Sequence, residues 1–404
     1  MPLPSDGMAS PTKRINPNIT DSLPRPSDGM ASLTEKKNPN IPDLMAALPF
    51  ELKIEILSRL PVKLLLQLTC ICKSLNSIIF SPIFARKHLS MSTTRRLYLS
   101  SYQNQFNLKS YSLQSIFTDL TTNFTQLGFP FYTSISNSYY IACSCDGVLC
   151  LTDDYQSIVV LWNPSIRKFK KLPHFEEYPQ ALKKLRVTHG FGYDHVSDHY
   201  KVVVAYQFHS IRSGIHEDTT KVKALTLGTH DWRTIPTFPF GSIFDHGAGK
   251  YVSGTINWLD YTESYWIGQP HPFIISFDLV KESFQKIPFP DHGRRDWCNI
   301  TLFVWRDCLS IIFDHDVWVM NTYGIQESWI KLFSVSFLQH PRMSCILSKA
   351  SYICDGQLLL EVKDKKKQKR KLIAYNSKNG AFKVTKFLRL PEVCVESLLS
   401  PDII

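Results

Sequence analysis

The feature that most constrains the fold is a strand–turn–strand unit that recurs along the chain from residue 158 onward. Each unit has an apolar run, a polar turn carrying Asn, Asp, Gly or Ser, and a return strand with an aromatic residue, as in a β-hairpin. The turns lie roughly 45 to 65 residues apart, which suits the four-stranded blades of a β-propeller. The units are IVVLWNPSIRKFKKLP (158–173), VKALTLGTHDWRTIPTFP (222–239), FIISFDLVKESFQKIPFP (273–290), VWVMNTYGIQESWIKLF (317–333) and LIAYNSKNGAFKV (372–384).

Further strand pairs fill the intervals between these units, for example HGFGYDHVSDHYKVVVAY and GKYVSGTINWLDY. Residues 95–395 therefore predict an all-β, propeller-like domain of roughly six or seven blades. The Gly-Gly doublet of kelch blades is absent from the sequence, and the spacing is irregular. A distorted β-sandwich is the alternative.

Residues 43–90 form a different, helical segment. In FELKIEILSRL the apolar residues form two stripes at helical spacing, about 120° apart around the helix, which implies two packing partners. A segment of this size cannot enclose all its Leu and Ile side chains by itself, so the surplus must meet the β domain or another protein. The first stripe is Phe50, Ile54 and Leu57, and the second is Leu52, Ile56 and Leu60.

Proline and serine positions predict the ends of the helices. Leu48-Pro49 opens the first helix, and Pro61 ends it because proline lacks an N–H donor. VKLLLQLTCICKSLNSIIF then predicts another helical run. SPIFARKHL predicts a third helix, with Ser81 as its N-cap and Pro82 at its first position.

The first 42 residues differ from both regions. They are rich in Pro, Ser, Asn and charge and predict a disordered tail. PSDGMASPTKRINPNI (4–19) recurs as PSDGMASLTEKKNPNI (26–41), identical at 12 of 16 positions. Such a polar repeat cannot bury a core, so we interpret it as a tandem duplication in the tail.

Composition narrows the class of protein further. No apolar run approaches 18 residues and no secretory leader is visible, so we expect a protein of the cytoplasm, the nucleus or both, without a membrane partner. More than half of the +11 net charge lies in KDKKKQKRK (363–371). We interpret this segment as a solvated hairpin loop; a nuclear-import signal or a phosphate-binding patch is the alternative. No aromatic residue is interleaved there for base stacking, which disfavours a nucleic-acid partner.

The cysteines and the Asp-His pairs are the candidates for metal or catalytic chemistry. Cys143, Cys145 and Cys150 lie close together, but no second Cys pair follows, so the sequence predicts reduced thiols and no metal site. Asp194-His195 with Asp198-His199, and Asp314-His315-Asp316, lie between strands, where Asp and His are ordinary turn residues. We expect no cofactor and no catalysis. Six tryptophans could serve a carbohydrate-binding propeller but are expected in the core: Trp162, Trp232, Trp258, Trp305, Trp318 and Trp329.

The stretch LPFELKIEILSRLPVKLLLQLTCICKSLNSIIFSPIFARKHL resembles an F-box, the module that docks on the Skp adaptor of cullin-based ubiquitin ligases. The family usually has Trp where Leu75 stands, and the smaller residue should keep the helix buried with looser packing. The matching elements, in order, are Leu48-Pro49, Glu55-Ile56-Leu57, Arg59 to Lys63, Cys72-Lys73-Ser74, Ile78-Ile79, Ser81-Pro82, Phe84 and His88-Leu89.

The remainder resembles the F-box-associated domain of large plant F-box families. The resemblance rests on CDGVLCL (145–151), LWNPSIRKFKKLP (161–173), GFGYDHVSDHYKVV (190–203) and INWL (256–259). The family commonly has two acids before Tyr-Lys-Val-Val, where this chain has Asp198-His199, which we interpret as turn variation. The predicted fold class is thus α+β and multidomain, a small helical F-box followed by an all-β, propeller-like domain.

This resemblance implies a non-catalytic substrate-recognition subunit of an SCF (Skp–cullin–F-box) ubiquitin ligase. The partners would be a Skp-type adaptor, a cullin bound through it, and a target protein held on loops 174–188, 208–220, 240–248 and 261–272. The alternative is a ligase-independent protein-binding scaffold, for instance one in the nucleus. Helical spacing and the family pattern together predict adaptor contacts at Leu48, Pro49, Ile56, Leu57, Leu60, Pro61 and Leu65, with Lys73 at the rim.

Overall fold

Among the residues that the structure describes, four short helices precede a ring of β-sheets in a computed structural model of the 404-residue chain. The duplicated tail lies outside the described residues. No described helix is long and apolar enough to cross a membrane. The structure describes residues 48–102, 106–112, 124–128, 139–153, 157–175, 186–212, 215–236, 238, 247–260, 273–291, 300–339, 345–352, 356–364, 370–385, 391–402 and 404.

The helices begin where proline and serine predict. Pro49 precedes α1, Pro61 precedes α2, and the Ser81 hydroxyl accepts the N–H of Phe84 at 3.2 Å to cap α4. The expectation of one helical run over 62–80 is wrong, because the helix that starts at Val62 ends at Leu68. There the Thr69 hydroxyl donates to the Leu66 carbonyl at 2.7 Å, a local hydrogen bond that competes with continuation of the helix. The helices are α1 (Phe50–Ser58), α2 (Val62–Leu68), α3 (Lys73–Ile79) and α4 (Pro82–Met91).

Six four-stranded antiparallel sheets follow, which confirms the propeller and gives the blade number among the described residues. Blade 1 contains β4 (Tyr140–Cys145), β5 (Val148–Asp153), β6 (Ile158–Asn163) and β7 (Lys168–Lys171). Blade 2 contains β8 (Arg186–Asp194), β9 (His199–Arg212), β10 (Ile215–Thr226) and β11 (Arg233–Ile235). Blade 3 contains β12 (Lys250–Val252), β13 (Thr255–Asp260), β14 (Phe273–Asp278) and β15 (Ser283–Ile287).

The remaining blades complete the ring. Blade 4 contains β16 (Ile300–Trp305), β17 (Cys308–Phe313), β18 (Asp316–Met320) and β19 (Trp329–Ser334). Blade 5 contains β20 (Cys345–Tyr352), β21 (Gln357–Asp364), β22 (Arg370–Asn376) and β23 (Phe382–Val384). Blade 6 joins the two ends of the domain and contains β1 (Arg95–Tyr102), β2 (Phe106–Ser112), β3 (Phe124–Leu127) and β24 (Glu392–Val395).

The recurring sequence units are the third and fourth strands of blades 1 to 5. The middle strands are mostly apolar because they are covered on both faces by neighbouring blades; β5 and β6, for example, are buried at every position. The outer strands β7 and β23 are mostly exposed. The hydrophobic core therefore lies between consecutive blades, and one cluster packs Val203 and Val222 of blade 2 against Trp258 and Phe277 of blade 3.

Close packing between blades explains the glycines of GFGYD. A Cβ on Gly190 would lie 2.4 Å from the Ile256 side chain, so blade 3 leaves no space for a larger residue on this strand. Gly147, in the CDGVLCL turn, has φ +86° and would place a Cβ 2.2 Å from the Ser397 hydroxyl. Both motifs thus depend on glycine because another segment of the chain lies against the backbone.

The asparagine of LWNPSIRKFKKLP attaches the C-terminal segment to blade 1. The buried Asn163 amide donates to the carbonyls of Ser397 at 3.0 Å and Leu399 at 2.8 Å. Its side-chain oxygen accepts the N–H of Ser165 at 2.9 Å, which forms the turn into β7. Asn163 therefore links a local turn to the segment that follows β24.

We expect Asn163→Ala to lower the free energy of unfolding by about 2–4 kcal/mol, because it leaves two buried carbonyls without donors. Urea denaturation followed by tryptophan fluorescence measures the change. The control is Asn379→Ala, since Asn379 makes a similar turn bond to Ala381 at 3.0 Å but is exposed, and its loss should cost under about 0.5 kcal/mol. Equal effects of the two substitutions would contradict the role assigned to Asn163.

Candidate functional site

The first candidate site is the outward face of α1. Leu52 and Ile56 lie one helical turn apart on this face and are 50% and 46% exposed, and Phe50 at the start of the helix is 58% exposed. On the opposite side, Leu57 is buried and Ile54 is half-buried. The two stripes therefore have different surroundings, and the Leu52–Ile56 stripe is left uncovered by the described residues.

The predicted adaptor-contact residues divide by burial. Pro49, Ile56, Pro61 and Lys73 are exposed, and Leu48 and Leu60 are half-buried. Leu57 and Leu65, however, are buried at 1% and 0% exposure, so neither offers its side chain to another protein in this structure.

The reason lies in how the helices pack. Leu57 is on the face of α1 that meets α4, and within Leu64-Leu65-Leu66 only the middle residue is fully buried. Sequence spacing could not tell which leucine of the run points inward. The exposed large apolar residues of the described helical segment that the prediction did not include are Phe50, Leu52, Leu64, Ile71 and Ile83.

A buried histidine fixes the connection between α1 and α2. His88 of α4 is 3% exposed, and its Nε2 lies 2.9 Å from the Leu60 carbonyl. A carbonyl can only accept, so Nε2 carries the proton and donates. This bond satisfies a carbonyl just past the end of α1 and holds the Leu60-Pro61 corner in place.

Helix α4 also fastens the helical segment to blade 2 of the propeller. The Arg86 guanidinium donates to the Tyr193 hydroxyl at 2.7 Å, lies 5.3 Å from the centroid of that ring, and forms an ion pair with Asp198. Hydrogen bonds from Tyr193 and from Arg86 lower the pKa of the Asp198 carboxyl. Asp198, interpreted from sequence as turn variation, is therefore part of a contact between the helices and the propeller, here named the α4 joint.

Two further contacts extend the α4 joint to blade 1 and to the segment that follows β24. Lys168 of β7 lies 5.5 Å from the centroid of the Phe80 ring, within range of a cation–π interaction. The Ser92 hydroxyl donates to the Glu396 carbonyl at 3.1 Å, and the Glu396 N–H donates to the Thr94 carbonyl at 2.8 Å. The helices thus contact blades 1 and 2 and the C-terminal segment.

Comparison with known proteins assigns both parts of this geometry. A model described as F-box-like matches residues 45–90, and a model described as the F-box associated beta propeller domain matches residues 89–400. The chain belongs to the F-box protein family. An F-box/kelch-repeat protein of Arabidopsis thaliana is 30% identical over 83% of this chain and 89% of its own length. Another F-box protein of A. thaliana is 26% identical over 86% of this chain and 89% of its own length.

In the Asp-His pairs of this F-box protein, the aspartates Asp194, Asp198 and Asp316 form structural ion pairs with lysine or arginine. The buried Asp194 carboxylate accepts from Lys201 Nζ at 2.9 Å and from the Ser197 hydroxyl at 2.8 Å. Asp316 pairs with Lys331 at 2.8 Å, and His315 lies 2.9 Å from Asp314. No group of His, Cys, Asp or Glu residues suited to a metal ion occurs in the described ranges.

Acid titration tests the Asp194–Lys201 pair. Burial alone would raise the pKa of Asp194, but hydrogen bonds from Lys201 and Ser197 outweigh it and lower the pKa to about 2, against 3.8 unperturbed. A depressed carboxyl pKa stabilises the fold above pH 4, and this contribution is lost as the pH falls through 2. We expect wild type to exceed Asp194→Asn in unfolding free energy by about 2 kcal/mol at pH 6, with the gap closing towards pH 2. Urea midpoints across that range measure it, and a pH-independent gap would contradict the assignment.

The candidate target-binding surfaces of the F-box protein are only partly described. Residues 208–220 are largely strand rather than loop, since β9 continues to Arg212 and β10 starts at Ile215. Loop 261–272 and most of loops 174–188 and 240–248 lie outside the described residues.

The six tryptophans considered for carbohydrate binding lie largely inside the propeller. None of these rings forms an exposed carbohydrate platform, since the buried ones are Trp162, Trp258, Trp305 and Trp329 and the half-buried ones are Trp232 and Trp318.

Proposed function

We propose that this F-box protein is the substrate-recognition subunit of an SCF ubiquitin ligase. The exposed face of α1 and α2 binds a Skp-type adaptor, the adaptor connects it to a cullin, and the propeller holds a target protein for ubiquitination. The chain itself makes and breaks no bond. The observation that carries the proposal is the uncovered apolar stripe of Leu52 and Ile56 on a helix whose other face is buried.

The surroundings of the stripe support protein binding. Leu64 and Ile71 are 45% and 44% exposed, and the exposed Pro49 and Pro61 border α1 at its two ends. Exposed apolar residues in this number on so short a segment are typical of an interaction surface. The corner at Leu60-Pro61, fixed by His88, presents α1 and α2 in a defined orientation, which lowers the entropic cost of association.

The α4 joint supports the second half of the mechanism. A target bound to the propeller is held at a set distance from the adaptor because Arg86, Phe80 and Ser92 all contact the β domain. Tethering of this kind raises the effective concentration of target lysines near the transferred ubiquitin. The described cysteines are free thiols, in keeping with the proposed location in the reducing cytoplasm or nucleus.

Reconstitution tests the proposal. The full chain, co-expressed with a Skp-type adaptor, is mixed with a cullin and analysed by size-exclusion chromatography. We expect one complex containing all three proteins. A chain that elutes free of adaptor would overturn the proposal and favour the ligase-independent scaffold.

Proximity labelling in plant cells under proteasome inhibition then identifies targets. It compares wild type with a variant that has lost adaptor binding, and targets are the proteins that accumulate only when the adaptor face is intact.

A further inference from the structure

The inner strands of the blades enclose a central channel that the proposed ligase function does not use. A cavity of about 340 Å³ lies in this channel, between β4, β12, β16, β20 and β24 and the adjoining residues of the ring. Cavities of this size are typical of small-molecule sites. The side chains around it therefore decide what it can hold.

Among the described residues that line this cavity are three cations and two carboxylates. Arg370 forms an ion pair with the buried Glu361 at 2.8 Å. The Glu392 carboxylate accepts the Ser144 hydroxyl at 2.7 Å. The two remaining cations, Lys250 and Lys349, have no ion pair or side-chain hydrogen bond within the part of the chain that the structure describes.

The environment of Lys349 is unfavourable to its charge. This lysine is accessible to water inside the channel. Its enclosure by the surrounding strands lowers its pKa, as does the neighbouring charge of Lys250, and the carboxylates Glu361 and Glu392 offset this only in part. Two like charges that face one cavity repel each other, and an anion between them would remove the repulsion. The lysine pair therefore indicates a site for a negatively charged ligand.

Two polar groups of the same wall lack partners. The indole Nε1 of Trp258 and the hydroxyl of Thr301 are buried and make no hydrogen bond among the described residues, although both side chains line the cavity. Trp258 is 3% exposed and Thr301 is 6% exposed. Buried polar groups are nearly always satisfied in native proteins, so each of these enclosed atoms calls for a partner such as an ordered water within the cavity wall.

We propose that the central channel binds a small phosphorylated molecule through Lys250 and Lys349. Lysine is a compact point charge that suits a phosphate group, whereas planar carboxylates favour the two-pronged guanidinium of arginine. Arg370, the arginine among the described residues of this cavity wall, is already paired with Glu361. The partly accessible hydroxyls of Ser100 and Ser351 supply further donors. This site is independent of adaptor binding, because all its residues belong to the propeller.

Calorimetric titration of the full chain with inorganic pyrophosphate tests the site. We expect saturable binding by wild type, weakened about tenfold or more by Lys250→Met or Lys349→Met, since each removes one charge-assisted contact. The control is Lys281→Met, which removes the same charge from an exposed turn between β14 and β15 and should leave the affinity unchanged. Methionine keeps most of the apolar stem, so packing is preserved.

A second measurement guards against a folding defect. In phosphate-free buffer, Lys349→Met should melt at or above the temperature of wild type, because it removes a repelling charge. Pyrophosphate should raise the melting temperature of wild type and of Lys281→Met, but not that of Lys250→Met or Lys349→Met. The proposal is overturned if wild type shows no saturable binding, if the channel variants bind as wild type does, or if sodium chloride at equal ionic strength reproduces the effect. Equal binding of citrate would overturn the phosphate assignment.

Discussion

Replacing Leu52 and Ile56 together with glutamine is expected to weaken adaptor binding by roughly 30- to 150-fold and to leave the fold intact. Each side chain is about half exposed, so covering what remains contributes about 1–1.5 kcal/mol per residue, or about 2–3 kcal/mol for the pair. Glutamine has good helix propensity and these positions face solvent, so the helix itself should persist. Biolayer interferometry against a purified Skp-type adaptor measures the affinity, and circular dichroism monitors the fold.

A matched control is available on the propeller. Ile330 and Leu332 of β19 are 41% and 39% exposed, so Ile330→Gln/Leu332→Gln makes the same chemical change far along the chain from the helices. This control should bind the adaptor as wild type does. Unchanged affinity of the Leu52/Ile56 variant would refute the adaptor face. Leu57→Ala is a poor substitute, because deleting a buried leucine costs about 2–5 kcal/mol and confounds binding with unfolding.

Lys201→Met is expected to lower the free energy of unfolding by about 3–5 kcal/mol, the largest effect on stability among the predictions made for this chain. The buried ammonium group lies 2.9 Å from Asp194 and 3.0 Å from Glu282, and it donates to the Leu279 carbonyl at 2.6 Å. Asp194 belongs to blade 2 and Glu282 to blade 3, so the substitution removes a link between blades and leaves the buried Asp194 carboxylate without its cation, whereas Glu282 keeps an ion pair with Arg233. Urea denaturation measures the loss.

The comparison for Lys201 is an exposed ion pair. Lys87 lies 4.0 Å from Glu55 with both side chains largely in solvent, and Lys87→Met should cost under about 1 kcal/mol. A similar cost at both positions would show that the interblade ion pair contributes no more than a surface contact. At pH 2 the Lys201 effect should shrink, because protonation of Asp194 removes the uncompensated charge.

Local chemistry made the blades predictable from sequence. The five recurring units are each a strand, a turn and a strand, and their turn residues lie where the structure has the connections between third and fourth strands. The blade number was harder to obtain, because the sixth sheet combines β24 with β1 to β3 from the opposite end of the domain. No local pattern marks a pairing between residues 95 and 395.

The candidate sites depended more on tertiary structure. Helical spacing placed Leu52 and Ile56 on a different face of α1 from Ile54 and Leu57, but it grouped the exposed Phe50 with the inward face. It also could not reveal that Leu65 points inward, since every leucine of the segment looks alike in sequence. The Arg86–Asp198 contact joins residues 112 positions apart. Lys250 and Lys349 belong to different blades and line the same cavity only when the ring closes. Charge and burial at such sites follow from the assembled ring.

The pairing of β24 with β1 also sets an order on biosynthesis. The ribosome makes the four helices before any strand of the propeller and makes β24 after all its other described strands, so a nascent chain displays the helices while the ring still lacks its closing strand. A premature stop codon between β23 and β24 would leave that state permanent. Under the proposed function, the product would occupy adaptor without delivering cargo and would act as a dominant-negative competitor of intact F-box proteins.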